Sequence, residues 1–472
     1  MSPGAGPVAG AVIRPPAGPS SPTASPSRIG VVFGALMAPT SLGLSAPAVA
    51  LPSLGADLGL AGPQTAWVLS GYALTLAVGT ALSGRVADLH GMRRTLLVGM
   101  SMLLAGSVLS GLSTGFASLL VGRLVQGGGG AAVSIAAIST LSTTLSRGDR
   151  VKALAALTSV MASVSGSGSL IGGVLTDTVG WRAVLVLPAL AVLSLPFALP
   201  LVPRAPLGSG RLDLRGAGLV AGVAGGVVVV LQASSTGLPR AAAAGTALIA
   251  AIAACGLVLH VRRRPAGFLP LAVVADAAYL RYALVGMSLF AGYLAMLFSA
   301  PLLLVQREGW GPLAIGLALL PAAIAAVATT RVVAAAAQRS SDRRIAVTLT
   351  LVSGSGLLLA ASVPHTAATV VGLAAAVSGF AGGQVVLVGA VPRLVPPAVT
   401  SAALSLFNFL FILGGSLGSA AAGGLADAFS LPTAIAVVAV LPLGAAALAR
   451  TLRTPIEQDG GVRSGSRSTR RD

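Results

Sequence analysis

The sequence predicts an all-α polytopic membrane protein of about fourteen transmembrane helices. Hydrophobic residues make up 55% of the 472 positions and charged residues only 9%. Mean hydropathy is +0.92. A soluble fold of this size could not cover so much apolar surface, whereas lipid tolerates it. Apolar runs long enough to span a bilayer recur along the chain without period-2 alternation, which selects helices over a barrel.

A span needs about 20 apolar residues. The first lies at 29–50, ending in Ala50-Leu51-Pro52. The second, 64–83, and third, 95–113, flank a basic loop. The fourth, 117–141, carries an internal arginine and a glycine run. The fifth, 152–175, is rich in small residues, and the sixth, 183–202, in leucine and proline. The seventh and eighth, 215–234 and 241–260, are the weakest. The last six fall at 280–304, 312–334, 345–363, 367–390, 400–426 and 431–449.

Charge tests this count. With the N-terminus on the cytoplasmic side, every Lys and Arg except Arg123, Arg182, Arg240 and Arg307 falls on the cytoplasmic side. Dropping one span would reverse every later loop and destroy the bias. Both termini are therefore predicted to be cytoplasmic, in the cell's inner membrane. Twelve crossings pass the same test if the seventh and eighth do not cross. The net charge of +18 is accounted for by topology rather than by nucleic acid. Short arginine runs such as Arg262–Arg264 can also meet anionic headgroups of the bilayer.

Residues 1–28 and 453–472, rich in small and polar residues, are expected to be disordered arms. Cys255 is the single cysteine, so no disulfide framework and no cysteine metal site is expected. Paired intramembrane carboxylates, HExxH and a nucleotide loop are absent, so neither an enzyme, a cofactor nor an ATP-driven pump is expected. The basic residues are arginine but for Lys152, which with the abundant Ala and Gly suggests a GC-rich coding bias.

Six stretches carry a family resemblance. The loop after the second span reads Gly84-Arg85-Val86-Ala87-Asp88-Leu89-His90-Gly91-Met92-Arg93-Arg94. It resembles the signature loop of the major facilitator superfamily, with Met92 where a basic residue is usual. Gly84 and Gly91 would permit a tight turn and close approach. The resemblance implies a conformational latch at Gly84, Asp88, Gly91, Arg93 and Arg94, closing the cytoplasmic side when the outer gate opens. The fourth span's Arg123-Leu124-Val125-Gln126-Gly127 resembles the superfamily's R-x-x-Q-G pattern. An arginine inside a membrane helix costs at least about 2.5 kcal/mol and must find partners. The resemblance links Arg123, Gln126 and Gly127 to proton transfer and the cavity; the plainer reading is an arginine bonded to carbonyls.

Gly168-Ser169-Leu170-Ile171-Gly172-Gly173 resembles the antiporter motif G-P-x-x-G-G, with Ser169 for Pro, which predicts a weakened kink. Trp67-Val68 with Tyr72, Gly180-Trp181-Arg182, and Gln306, Gly309, Pro312, Gly316 and Pro321 resemble the fourteen-helix drug:proton antiporter branch. That branch implies a major facilitator fold: a six-helix bundle over 29–202, two extra helices over 203–264, and a second bundle over 265–452. An internal echo fits a repeat, since Gly172-Gly173 with Asp177 returns as Gly423-Gly424 with Asp427.

The pattern breaks in the first span, where the branch's aspartate is replaced by Gly43. All twelve acidic residues fall in loops, tails or span ends. A cavity offering Arg123 and no carboxylate favours neutral or anionic molecules. The resemblance implies proton-coupled export of a small hydrophobic compound such as an antibiotic, drug or natural product, by a monomer using alternating access. An uncoupled carrier of a neutral or anionic molecule, or a receptor that kept the fold, stays open. Further candidates for the substrate cavity are Trp67, Tyr72, Gln384, Phe407, Asn408 and Phe411.

Overall fold

A computed structural model describes residues 25–204, 213–233, 239–264, 271–396 and 399–452. The terminal arms expected over 1–28 and 453–472 lie outside the described residues, apart from the first helix's start. Among the described residues the secondary structure is helical and no strand occurs. Fourteen helical segments match the predicted spans one for one. They are α1 Pro26–Leu58, α2 Gly62–His90, α3 Met92–Gly111 and α4 Phe116–Thr144. Next come α5, the bent pair Arg147–Gly166 and Gly168–Thr178, and α6 Trp181–Leu201. The remainder are α7 Leu214–Leu231, α8 Arg240–Arg263, α9 Ala277–Glu308, α10 Pro312–Ala336, α11 Asp342–Ser362, α12 Thr366–Leu394, α13 Thr400–Ala428 and α14 Leu431–Ala449. Twelve are long and apolar enough to cross a bilayer, α5 makes a thirteenth if its pair is one span, and α7 is a shorter apolar helix. The chain is a multi-pass membrane protein.

Local chemistry sets the breaks. Pro26 opens α1 beneath Ser25, whose hydroxyl accepts from the Arg28 amide, and Gly59 closes it at φ 60. Pro188, Pro196 and Pro200 remove amide donors along α6, and much of it tightens into 3-10 turns. The kink expected to weaken in α5 is instead a bend of 43°. It occurs without proline: the small residues Gly166, Ser167 and Gly168 sit at the break, and Ser167 turns its hydroxyl onto the Val164 carbonyl.

Helix α9 is the central element, 83% of its most apolar window being buried, whereas α8 is peripheral, at 6%. Helices α7 and α8 pack on each other, and α7 leans on the seam between α2 and α13. The halves meet symmetrically, α2 against α13 and α5 against α10. The sequence echo sits on both contacts. A Cβ on Gly173 would lie 2.6 Å from the Pro312 carbonyl oxygen, and one on Gly316 2.7 Å from that of Ser169. Across the other contact, a Cβ on Gly423 would strike Ala66.

These contacts cluster at the arginine-poor face. There Ser416 donates to the Ser70 carbonyl at 2.8 Å, and Gln232, just beyond α7, donates to the Ser70 hydroxyl at 2.8 Å. Nearby, Asp57 accepts from both Trp181 and Arg182, at 3.0 and 2.8 Å. Toward the arginine-rich face, α5 exposes Thr158, Ser159 and Ser163, each hydroxyl turned onto a carbonyl of its own helix.

Candidate functional site

Arg123 is 0% exposed, inside the N-terminal bundle. Its Nε donates to the Val68 carbonyl at 2.8 Å, Nη1 to Gln126 Oε1 at 2.5 Å and Nη2 to the Gly43 carbonyl at 2.5 Å. The Tyr72 ring stacks on the guanidinium, 4.3 Å from centroid to Cζ, and its hydroxyl donates to the Thr40 carbonyl at 2.7 Å. Gln126, also 0% exposed, passes the network on, donating to Ser107 Oγ and the Leu185 carbonyl at 2.8 Å each. One arginine and one glutamine thus tie α4 to α1, α2, α3 and α6. Gly43 is integral to this knot. A Cβ there would lie 2.8 Å from Cζ of Tyr72. The position that resembles an aspartate site therefore contributes a carbonyl dipole to Arg123, and the aromatic ring occupies the space a side chain would need. Gly127 lets α4 close on α2, with the Tyr72 carbonyl where its Cβ would be.

The residues of the resembling motifs separate by role. Gly91 takes φ 88 and ends α2. Gly84 lies within the helix with nothing within 4 Å of a Cβ, so the close approach expected there is not made. Asp88 and Arg94 are exposed and Arg93 is half-buried. Among the described residues the ion pairs are Arg182–Asp57, His260–Asp213 and Arg393–Asp342, none of them in this loop. Gly168 and Gly172 close on Ser45 and Ala46 of α1, while Gly173 and the Ser169 carbonyl meet α10. The motif is a two-sided packing surface at the seam.

The C-terminal half carries an aromatic wall. Phe290 stacks on Phe380 and Phe411 at centroid distances of 4.6 and 5.4 Å, and Tyr293 on Phe380 at 4.8 Å. Phe407 extends the row, 5.8 Å from Phe411. Tyr293, Phe380 and Phe411 each lie near the middle of their helix, so the wall stands at mid-membrane depth. Tyr293 is half-buried, whereas its neighbours on the same face of α9 (Gly286, Leu289, Phe290, Met296, Leu297 and Ala300) are all buried. Gln384 follows Phe380 by one helical turn and is exposed; Asn408 beside Phe407 is half-buried. Neither amide, nor the Tyr293 hydroxyl, has a hydrogen-bond partner among the described residues.

Of the cavity candidates, Phe407, Asn408 and Phe411 sit on α13 within or beside this wall, with Gln384 one turn beyond it. Trp67 and Tyr72 do not join them. Trp67 is 5% exposed with its indole N–H unpartnered, and Tyr72 is buried under Arg123. Sequence reasoning missed Phe290, Tyr293 and Phe380. Their only signal was aromatic residues at the centre of uniformly apolar spans.

Two six-helix bundles that meet across a pseudo-symmetric seam define the class: a polytopic helical membrane protein. The sequence profile of the Major Facilitator Superfamily matches residues 31–339. The chain belongs to that superfamily. It is 37% identical over 199 residues to the cephamycin export protein CmcT of Amycolatopsis lactamdurans, covering 40% of this chain and 39% of that protein. It is 27% identical over 300 residues to the tetracenomycin C resistance and export protein of Streptomyces glaucescens, covering 63% and 55%. Against the multidrug resistance protein Stp of Mycobacterium tuberculosis it is 29% identical over 287 residues, covering 59% and 53%. The chain thus spans about half the length, or less, of these curated relatives. A solved POT-family transporter bound to a thioalcohol-conjugated peptide has the same fold, with a TM-score of 0.66, 13% identity, and coverage of 89% of this chain and 95% of that one.

Proposed function

We propose that this chain exports a small, largely hydrophobic compound (an antibiotic, drug or natural product) across the cytoplasmic membrane by alternating access. The observation that carries the reading is the aromatic wall around Tyr293. It offers stacked aromatic faces and the free Gln384 and Asn408 amides at the depth where the two halves meet. The names of the relatives, which are export and resistance proteins, supply the direction. With the arginine-rich face cytoplasmic, the hydrogen bonds on Ser70 would close the seam on the outer side. Asp88 is exposed and makes no ion pair among the described residues, which fits a latch released when the outer side is closed. One chain supplies both halves of the site, so a monomer suffices.

A second reading, an uncoupled carrier of a neutral or anionic molecule, is favoured by one specific observation. Every carboxylate among the described residues lies in a loop or toward a helix end. Proton coupling without a mid-membrane carboxylate would fall to groups such as Asp177 and Asp427 near the outer mouth. Purified protein in liposomes with a pH gradient and an internal pH-sensing dye tests both readings. Substrate-dependent proton flux supports coupled export, and substrate flux without it supports the carrier. No flux with any compound that binds would sink both and favour a receptor.

A further inference from the structure

Helices α11 and α14 lie side by side, so close that a Cβ on Gly354 would stand 2.5 Å from Cγ of Leu443. On their outer side both expose apolar stripes at helical spacing. Leu351, Val352, Leu358 and Leu359 line α11, and Val437, Val440 and Leu441 line α14. In a membrane protein such a valley is filled by acyl chains. At the arginine-rich face it ends in a groove of about 490 Å³ lined by Arg343, Arg344, Val347, Thr348 and Arg450.

Among the described residues the charge of this groove is uncompensated. None of its three arginines has a carboxylate partner among the described residues, because the adjacent Asp342 is taken by Arg393 at 2.6 Å. Arg343 and Arg344 stand in the first turn of α11, where the helix dipole adds positive potential and disfavours cations. Arg281 is held close by, donating to the Thr451 carbonyl at 3.4 Å. The site calls for an anion, and a guanidinium's planar fork suits a phosphate oxygen pair.

We propose that this groove binds the phosphodiester headgroup of an anionic phospholipid, with an acyl chain lying in the α11–α14 valley. A free phosphate would satisfy the arginines equally. The continuity from Val347 to the exposed Leu351 and Val352 favours the lipid, since only a lipid uses both the charge and the apolar stripe. The site lies on the outside of the C-terminal bundle and is independent of what the chain transports.

Native mass spectrometry of the purified full chain in detergent tests this, with phosphatidylglycerol, phosphatidylcholine and inorganic phosphate as probes. Phosphatidylglycerol should be retained over phosphatidylcholine. The triple variant Arg343→Gln, Arg344→Gln, Arg450→Gln should lose retention on the order of a hundredfold. The comparison variant Arg262→Gln, Arg263→Gln, Arg264→Gln, at the cytoplasmic end of α8, should keep it. Equal retention by wild type and the groove variant, or equal loss in both variants, would overturn the proposal. Bound inorganic phosphate with no preference for phosphatidylglycerol would overturn the lipid assignment. A photoreactive phosphatidylglycerol on the unaltered protein needs no variant to fold. Its adducts should concentrate in residues 343–362 and 437–450, and an even spread along the chain would refute the site.

Discussion

The guanidinium of Arg123 donates to the backbone carbonyl of Gly43 at 2.5 Å, joining helices α4 and α1 across 80 positions of sequence. The pair replaces an intramembrane ion pair by a charge on dipoles. Two carbonyls, one amide oxygen and a ring face hold a cation that bare hydrocarbon would reject.

Removing the cation should therefore damage the fold before it touches transport. Arg123→Met leaves the Gly43 and Val68 carbonyls and Gln126 Oε1 without their donor. It should cost about 3 kcal/mol. Arg123→Lys, a point charge on a flexible stem, should recover only part of this. Thermal unfolding of the purified protein in detergent reads both. An unchanged midpoint for Arg123→Met would show that the network is not structural.

Restoring an acid at the first-span position should fail sterically. Gly43→Asp drives its Cβ into the Tyr72 ring, and overpacking of this kind costs about 1–3 kcal/mol. Tyr72→Ala in the same chain should relieve it and let the carboxylate reach Arg123, so the double variant should be more stable than the two single effects summed. A thermal double-mutant cycle measures the coupling. Additivity would contradict the geometry.

The seal at the arginine-poor face should loosen when its hydrogen bonds go. Ser70 receives Ser416 on its carbonyl and Gln232 on its hydroxyl. Ser416→Ala and Gln232→Leu should each weaken the closed state by about 1 kcal/mol. Spin labels on Gln64→Cys and Asp427→Cys, in a Cys255→Ser background, should then show a larger population of long distances by pulsed electron resonance. An unaltered distribution would remove these residues from the gate.

The aromatic wall should carry affinity. Tyr293→Ala removes the ring that stacks on Phe380, and binding of a planar aromatic substrate should fall about tenfold. Tyr293→Phe keeps the stack and loses only the free hydroxyl, so its effect should be smaller unless the substrate bonds there. Equilibrium binding of a fluorescent substrate to purified variants gives both numbers. Wild-type affinity in Tyr293→Ala would place recognition elsewhere.

Helix positions were legible because burial in lipid demands a length and a hydropathy that twelve of the segments show locally. The echo of Gly172-Gly173 in Gly423-Gly424 was legible for a similar reason: close helix approach needs the absence of a side chain, and that is written in the residue type. The candidates Phe407, Asn408 and Phe411 lie within about one turn of a single helix, so their proximity is local to the sequence. Trp67 and Tyr72 were grouped with them only by residue type, and the fold put them in the packed N-terminal half.

By itself, then, the sequence determined a helical membrane protein of about fourteen spans, with an arginine-rich face and few charges within the membrane. Only the tertiary structure decided what Arg123 is bonded to, which aromatic residues share a wall, and which residues bridge the seam. The reason is physical. Hydropathy and charge bias act residue by residue along the chain, so they can be summed from the sequence. The Gly43 carbonyl, the Phe380 ring and the Ser70 hydroxyl acquire their roles from groups tens to hundreds of positions away, and only packing brings those groups together.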